Sequence, residues 1–126
     1  MIVTSTLSNF ISNLKNHYLS KKLILKQKKT KQIIRLADLL VSEGLICGYY
    51  FIENNIVILL KYSNNKPAIH EFKVISRPGK RVYVNNKWIY KNNDKTIHIL
   101  STQQGFLTKH KAQELNVGGE LICQIN

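Results

Sequence analysis

TKQIIRLADLLVSEGLICGYYFIENNIVILLKY, residues 30–62, changes its hydrophobic period halfway along. In its first part Ile33, Leu36, Ala37, Leu40 and Val41 recur at helical spacing and predict one apolar helix face. Thr30 is placed to cap the start, and Gly44 to end the helix, because glycine takes the left-handed conformation without steric cost. After the glycine, Leu45–Ile52 and Ile56–Tyr62 are β-rich runs around Asn54-Asn55, the pattern of a hairpin. A helix feeding directly into a hairpin makes the class mixed α/β, of the α+β kind.

Upstream, Leu7, Phe10, Ile11, Leu14 and Tyr18 lie on one face of a first helix, with Thr4, Ser5 or Ser8 as candidate caps. Leu23-Ile24-Leu25 predicts a short strand, so the first half reads α-β-α-β-β. Asn64-Asn65 and Pro67 mark a break, and we expect two small α/β halves, residues 1–65 and 66–126. The second half is mostly β: strands near 68–75, 81–84, 96–100 and 120–125, with residues 87–95 as a loop. One short helix is expected from a Thr108 cap to about Asn116.

At 126 residues and 44% hydrophobic, the chain has the material for a packed core. Its formal net charge is +12, unevenly spread. Residues 1–37 hold eight cations and no acid, residues 38–71 are net −2, and residues 72–126 are net +6. Two basic blocks around a slightly acidic centre imply a polyanionic partner, nucleic acid before membrane. Cys47 and Cys123 are far apart in apolar surroundings, which suits reduced core residues rather than a zinc or disulfide framework. No run has the length of a transmembrane helix, and the start lacks the pattern of a secretory signal.

Catalysis is a poor fit. The seven acids are scattered, His17, His70, His98 and His110 are too far apart for a local metal motif, and Ser101 lacks a nucleophile-elbow setting. We expect no enzyme activity, metal, cofactor or small-molecule substrate. Nucleic-acid binding has better candidates. In Arg77-Pro78-Gly79-Lys80-Arg81 a fixed turn crowds three cations at its rim, and Tyr83 shares the face of Arg81. Ser101-Thr102-Gln103-Gln104-Gly105 sets four hydrogen-bonding side chains in an uncharged loop between a strand and a helix, suited to base edges rather than bulk attraction. The helix after Thr108 is expected to aim its positive end at that loop. Phosphate attraction is expected from Lys21, Lys22, Lys28, Lys29, Lys31, Arg77, Lys80 and Arg81.

In order and spacing these segments resemble the eighth protein of the bacterial-type small ribosomal subunit, an rRNA-binding family. The family's Ser-Arg-Pro-Gly turn with a basic residue and a tyrosine is matched by Ser76, Arg77, Pro78, Gly79, Arg81 and Tyr83. Its Ser-Thr-Ser-x-Gly loop is matched by Ser101, Thr102, Gln103 and Gly105, and its Gly-Gly-Glu by Gly118, Gly119 and Glu120. Ser12, Leu14, Lys15 and Asn16 resemble the first-helix pattern, and Glu43-Gly44-Leu45-Ile46 the end of the second. The resemblance implies a structural constituent of the small subunit that binds the central domain of its rRNA and aids assembly, next to neighbouring small-subunit proteins. It also implies an N-terminal half like a double-stranded-RNA-binding fold, a C-terminal RNA-reading half, and RNA contacts at Gly119 and Glu120.

The chain departs from the family pattern where Gln103 replaces the loop's second serine and where Asn9 and Asn13 stand in place of Asp and Arg. It is also rich in Ile (16), Lys (16) and Asn (13), residues with A/T-rich codons. Together these point to an organellar, mitochondrial ribosome, with a plastid or bacterial cytoplasmic one as the alternative. Three other functions compete: a free-standing regulator that recognises structured RNA by shape, an enzyme such as a nuclease, and a peripheral membrane protein using the basic first helix. That helix's apolar face is better explained as core, so no membrane is expected as partner.

Overall fold

The computed structural model describes residues 5–76, 79–91 and 96–125. Thr4, Arg77 and Pro78 therefore lie outside the described residues. The chain forms two compact units, Asn9–His70, and Glu71–Asn126 with Met1–Ser8.

Helix α1 spans Ser5–Leu19 and buries Leu7, Phe10, Ile11, Leu14 and Tyr18, the five positions the spacing marks. After β1 (Ile24–Lys28), helix α2 runs Lys31–Ser42. The Thr30 hydroxyl accepts from the Ile33 amide at 3.2 Å and satisfies one of the helix's orphan donors. At the other end Gly44 sits at φ +73°. The amides of Gly44 and Leu45 return to the carbonyls of Val41 (3.0 Å) and Leu40 (2.9 Å), closing the helix in a Schellman motif. Ile33, Leu36, Ala37 and Leu40 are buried, but Val41 is exposed. It lies about 80° round from Ile33, at the edge of the apolar stripe rather than on it.

Strands β2 (Ile46–Ile52) and β3 (Asn55–Leu60) form the expected hairpin, turning at Glu53–Asn54 with Glu53 at φ +54°. The sheet order is β1-β3-β2, all antiparallel. A register shift between Ile46 and Gly48 makes Cys47 the extra residue of a bulge, and Cys47 is exposed rather than in the core. Its thiol points at the Leu60 carbonyl, 3.7 Å away. Both helices lie on one face of this sheet: Asn13 of α1 donates to Gln27 of β1, and Tyr49 of β2 donates to Asp38 of α2. Leu25, Ile56 and Ile58, fully buried, share that face. The Tyr18 hydroxyl donates to the Leu45 carbonyl (2.7 Å) and accepts the Lys61 amide (3.2 Å), fixing α1 to the ends of β2 and β3. Burial pushes that hydroxyl up to about 12. Asn64 and Asn65, both at positive φ, turn β4 (Tyr62–Ser63) into β5 (Lys66–Pro67).

The other unit is built on β10 (Gly119–Ile125), which pairs with β6 (Phe72–Val74), β7 (Tyr83–Val84) and β8 (Ile97–Thr102). Strand β9 (Gly105–Thr108) pairs with β8. Strands β6 and β7 are shorter than the sequence suggests. Two short helices, α3 (Asn86–Lys91) and α4 (Lys109–Leu115), contribute Ile89 and Ala112 to a core with Leu100 and Leu121. The start of the expected loop at 87–95 is thus helical through Lys91. The Asn85 side chain accepts the Trp88 amide at 3.0 Å and caps α3, and Ile89 one turn on buries fully. Helix α4 has the expected Thr108 cap and closes on Asn116 at φ +59°. Cys123 is buried, and burial pushes its thiol up. His98 of β8 is a buried strand residue whose ring meets Trp88 edge to face at 5.6 Å.

Candidate nucleic-acid interface

The Ser101–Gly105 segment is not a strand-to-helix loop. It is the tip of the β8–β9 hairpin, with Gln103 and Gln104 as the two turn residues. Gly105 takes φ +102°, a value L side chains rarely adopt, and so lets the two-residue turn rejoin the ladder in unbroken register. The Thr102 hydroxyl donates to the Gly105 carbonyl (2.9 Å) and accepts the Gln104 amide (3.1 Å), tying the turn from inside. Ser101 and Thr102 are each only 4% exposed. The surface here belongs to Gln103 and Gln104, two exposed amides held on a short, tied turn. Thr108 caps α4 at the other end of β9, roughly 10 Å along the strand, so the helix's positive end is not at the tip.

Behind the tip, pairing aligns four residues across the sheet. Tyr83 of β7 pairs with Glu120 of β10, Glu120 with Ser101 of β8, and Ser101 with Phe106 of β9. Leu100, Leu121 and Val84, which pack with α3 and α4, alternate with these and occupy the opposite face. At one end of the row Tyr83 is 68% exposed; in the middle Glu120 is 2% exposed. Its carboxylate lies 3.5 Å from the Arg81 guanidinium, and among the described residues neither of its oxygens has a hydrogen-bond partner. Buried charge is costly unless paired, so Arg81 is held half-buried as the counter-ion. Ser76, fully buried, donates to the Leu121 carbonyl (2.6 Å) and accepts the Val82 amide (2.9 Å), clamping both ends of the Ser76–Val82 segment. Gly79 and Lys80 on that segment are exposed.

The glycine pair has a steric reason. A Cβ on Gly119 would lie 2.4 Å from the Ser101 carbonyl oxygen, and one on Gly118 would lie 2.6 Å from the Val84 carbonyl oxygen. Only glycine lets β10 run this close to the base of the hairpin.

The remaining candidates, Lys21, Lys22, Lys28, Lys29 and Lys31, are exposed on the Asn9–His70 unit. Lys21 and Lys22 lie in the turn after α1, with Lys21 at φ +57°, and the other three surround the start of α2. Lys29 sits over the Phe51 ring, 5.1 Å from its centroid. The sequence reading passed over Phe51, for which alternation along β2 was a usable signal; it placed Ser76 in the basic turn without foreseeing its burial. Among the described residues no group of three His, Cys, Asp or Glu side chains could hold a metal ion, and no helix is long and apolar enough to cross a membrane.

Residues 5–126 match the family described as Ribosomal protein S8. The small ribosomal subunit protein uS8 of Bartonella bacilliformis is 38% identical, over 99% of this chain and 99% of its own. The uS8m protein of Acanthamoeba castellanii is 39% identical over 97% of this chain and 99% of its own. The uS8 protein of Brucella anthropi is 39% identical, with 99% of each chain covered.

Proposed function

The chain belongs to the ribosomal protein S8 family, a structural component of the small ribosomal subunit and not an enzyme, and on that footing we propose that it binds the central domain of small-subunit rRNA and helps that region fold. The observation that carries the reading is the β8–β9 tip: two exposed amides on a turn tied by Thr102, beside exposed Tyr83 and the buried Glu120–Arg81 pair. Amide side chains both donate and accept, and a tied turn loses little entropy on binding. Tyr83 supplies a ring for a base or sugar, while the buried Glu120 carboxylate acts indirectly, by holding the Arg81 guanidinium in place. Arg77, Lys80 and the exposed lysines at 21, 22, 28, 29 and 31 supply charge to the phosphates. Ser101 and Thr102 act from beneath, by shaping the hairpin, and Gly105 and Gly119 by allowing its geometry.

A mitochondrial ribosome is the compartment favoured by the Ile, Lys and Asn bias, and a mitochondrial uS8m stands among the relatives beside bacterial uS8 proteins at equal identity. The test of the site compares binding to a central-domain rRNA fragment and to an equally long scrambled duplex. Gln103→Ala combined with Gln104→Ala should lower the preference for the fragment about tenfold, the worth of one or two hydrogen bonds, with non-specific affinity unchanged because no charge is lost. An unchanged preference would remove the hairpin tip from the site.

A further inference from the structure

The sheet of the Asn9–His70 unit has a second face. Because Asn13–Gln27 and Asp38–Tyr49 bonds put both helices over the face of Leu25, Ile56 and Ile58, the alternating residues look the other way. Pairing aligns Lys26, Val57 and Tyr50 in one row across the three strands, and Lys28 and Ile52 at the two ends of the next. Val57 is 3% exposed and forms the floor, whereas Tyr50 is 45% exposed and Ile52 44%. No position on this face is acidic. Lys26 and Lys28 are roughly 6.6 Å apart along β1, and Tyr50 is two strand spacings across, roughly 9.6 Å.

We infer that this face is a second RNA contact that takes an unstacked nucleotide, its base against the Tyr50 ring and the adjoining phosphates on Lys26 and Lys28. The inference rests on the RNA-binding reading above only for the class of partner. Charge selects that partner: an apolar protein surface laid here would desolvate both ammonium groups with nothing to neutralise them. The flat face selects single-stranded RNA, since a paired A-form helix hides its bases from a ring lying on a sheet. Tyrosine faces accept any base, so affinity here comes with little sequence preference.

The test uses the full chain and a labelled single-stranded RNA of about eight nucleotides, carrying 5-bromouridine, read by anisotropy and by photo-crosslinking. Tyr50→Ala should weaken binding roughly tenfold, whereas Tyr50→Phe, which keeps the ring, should stay within about twofold. Lys26→Gln with Lys28→Gln should reduce the log–log salt slope by about 1.4, and crosslinks should map to Tyr50. Tyr50→Ala is read on this oligonucleotide and Gln103→Ala with Gln104→Ala on the fragment-over-duplex preference, so the two sites can fail separately. A folded Tyr50→Ala chain that binds within about twofold of the parent would overturn the inference, as would crosslinks confined to the Glu71–Asn126 unit; the face would then be left to a protein partner.

Discussion

Replacing Gly119 by alanine puts one methyl group where β10 and β8 meet. The new carbon would stand 2.4 Å from the Ser101 carbonyl oxygen, 3.0 Å from Thr102 Cγ2 and 3.1 Å from the Ser101 carbonyl carbon. A comfortable carbon–oxygen approach is about 3.3 Å, so one strand must retreat by roughly 0.9 Å. Two of the three atoms are backbone, and the third belongs to Thr102, whose side chain is tied into the turn by its hydroxyl. Overpacking costs about 1–3 kcal/mol, and each ladder hydrogen bond lost in the retreat adds about 1 kcal/mol. The expected loss is therefore about 2–5 kcal/mol, roughly 8–20 °C in Tm for a chain of this size. Gly48→Ala is the matched control, since a Cβ there meets nothing within 4 Å and its φ is not left-handed. It should be neutral or stabilise by up to about 1 kcal/mol through the unfolded state. Urea unfolding followed by circular dichroism measures both. Gly119→Ala within about 0.5 kcal/mol of the parent, or Gly48→Ala as costly as Gly119→Ala, would refute the close-approach argument.

Tyr18→Phe removes a donor to Leu45 and an acceptor for Lys61, and should cost about 1–3 kcal/mol at neutral pH. Because the folded hydroxyl is held up to about 12 against an ordinary 10, its contribution is complete below pH 10 and is lost as pH rises towards 12. Stability–pH curves should show that alkaline loss in the parent and a shallower one in Tyr18→Phe; parallel curves would contradict it. Iodoacetamide should modify exposed Cys47 in the native chain, while Cys123 should react only after denaturant is added. Peptide mapping showing equal native labelling of both cysteines would overturn the placement of Cys123.

How much of this was legible beforehand depended on whether the deciding contacts were local. Helix α2 could be read from end to end, since Thr30, the apolar stripe and Gly44 all act within one turn of their partners. Helix α3 was missed because six residues make too short a period, although Asn85 carried the cap signal. Strand β9 was missed for a different reason: Gly105–Thr108 becomes a strand by pairing with β8, and its glycine reads as the end of a loop. That one omission turned a hairpin tip into a strand-to-helix connection and hid the burial of Ser101 and Thr102. Gly118 and Gly119 looked like a simple turn because the carbonyls they make room for lie on distant strands, β7 and β8. The Arg81–Glu120 pair joins residues 39 apart in sequence, and composition alone records the two only as one plus and one minus. Cys47 looked like core until the bulge turned it outward.

Specific recognition of small-subunit rRNA is the role proposed for the hairpin tip and the basic surface. The most direct measurement is the affinity of the purified chain for a central-domain fragment against an equally long scrambled duplex, from low to physiological salt. With roughly six cations on phosphates, both affinities should fall with a log–log slope of about −5, and a preference for the fragment should persist at physiological salt. Equal binding of the two RNAs that disappears as salt rises, or binding that does not depend on salt at all, would contradict the account.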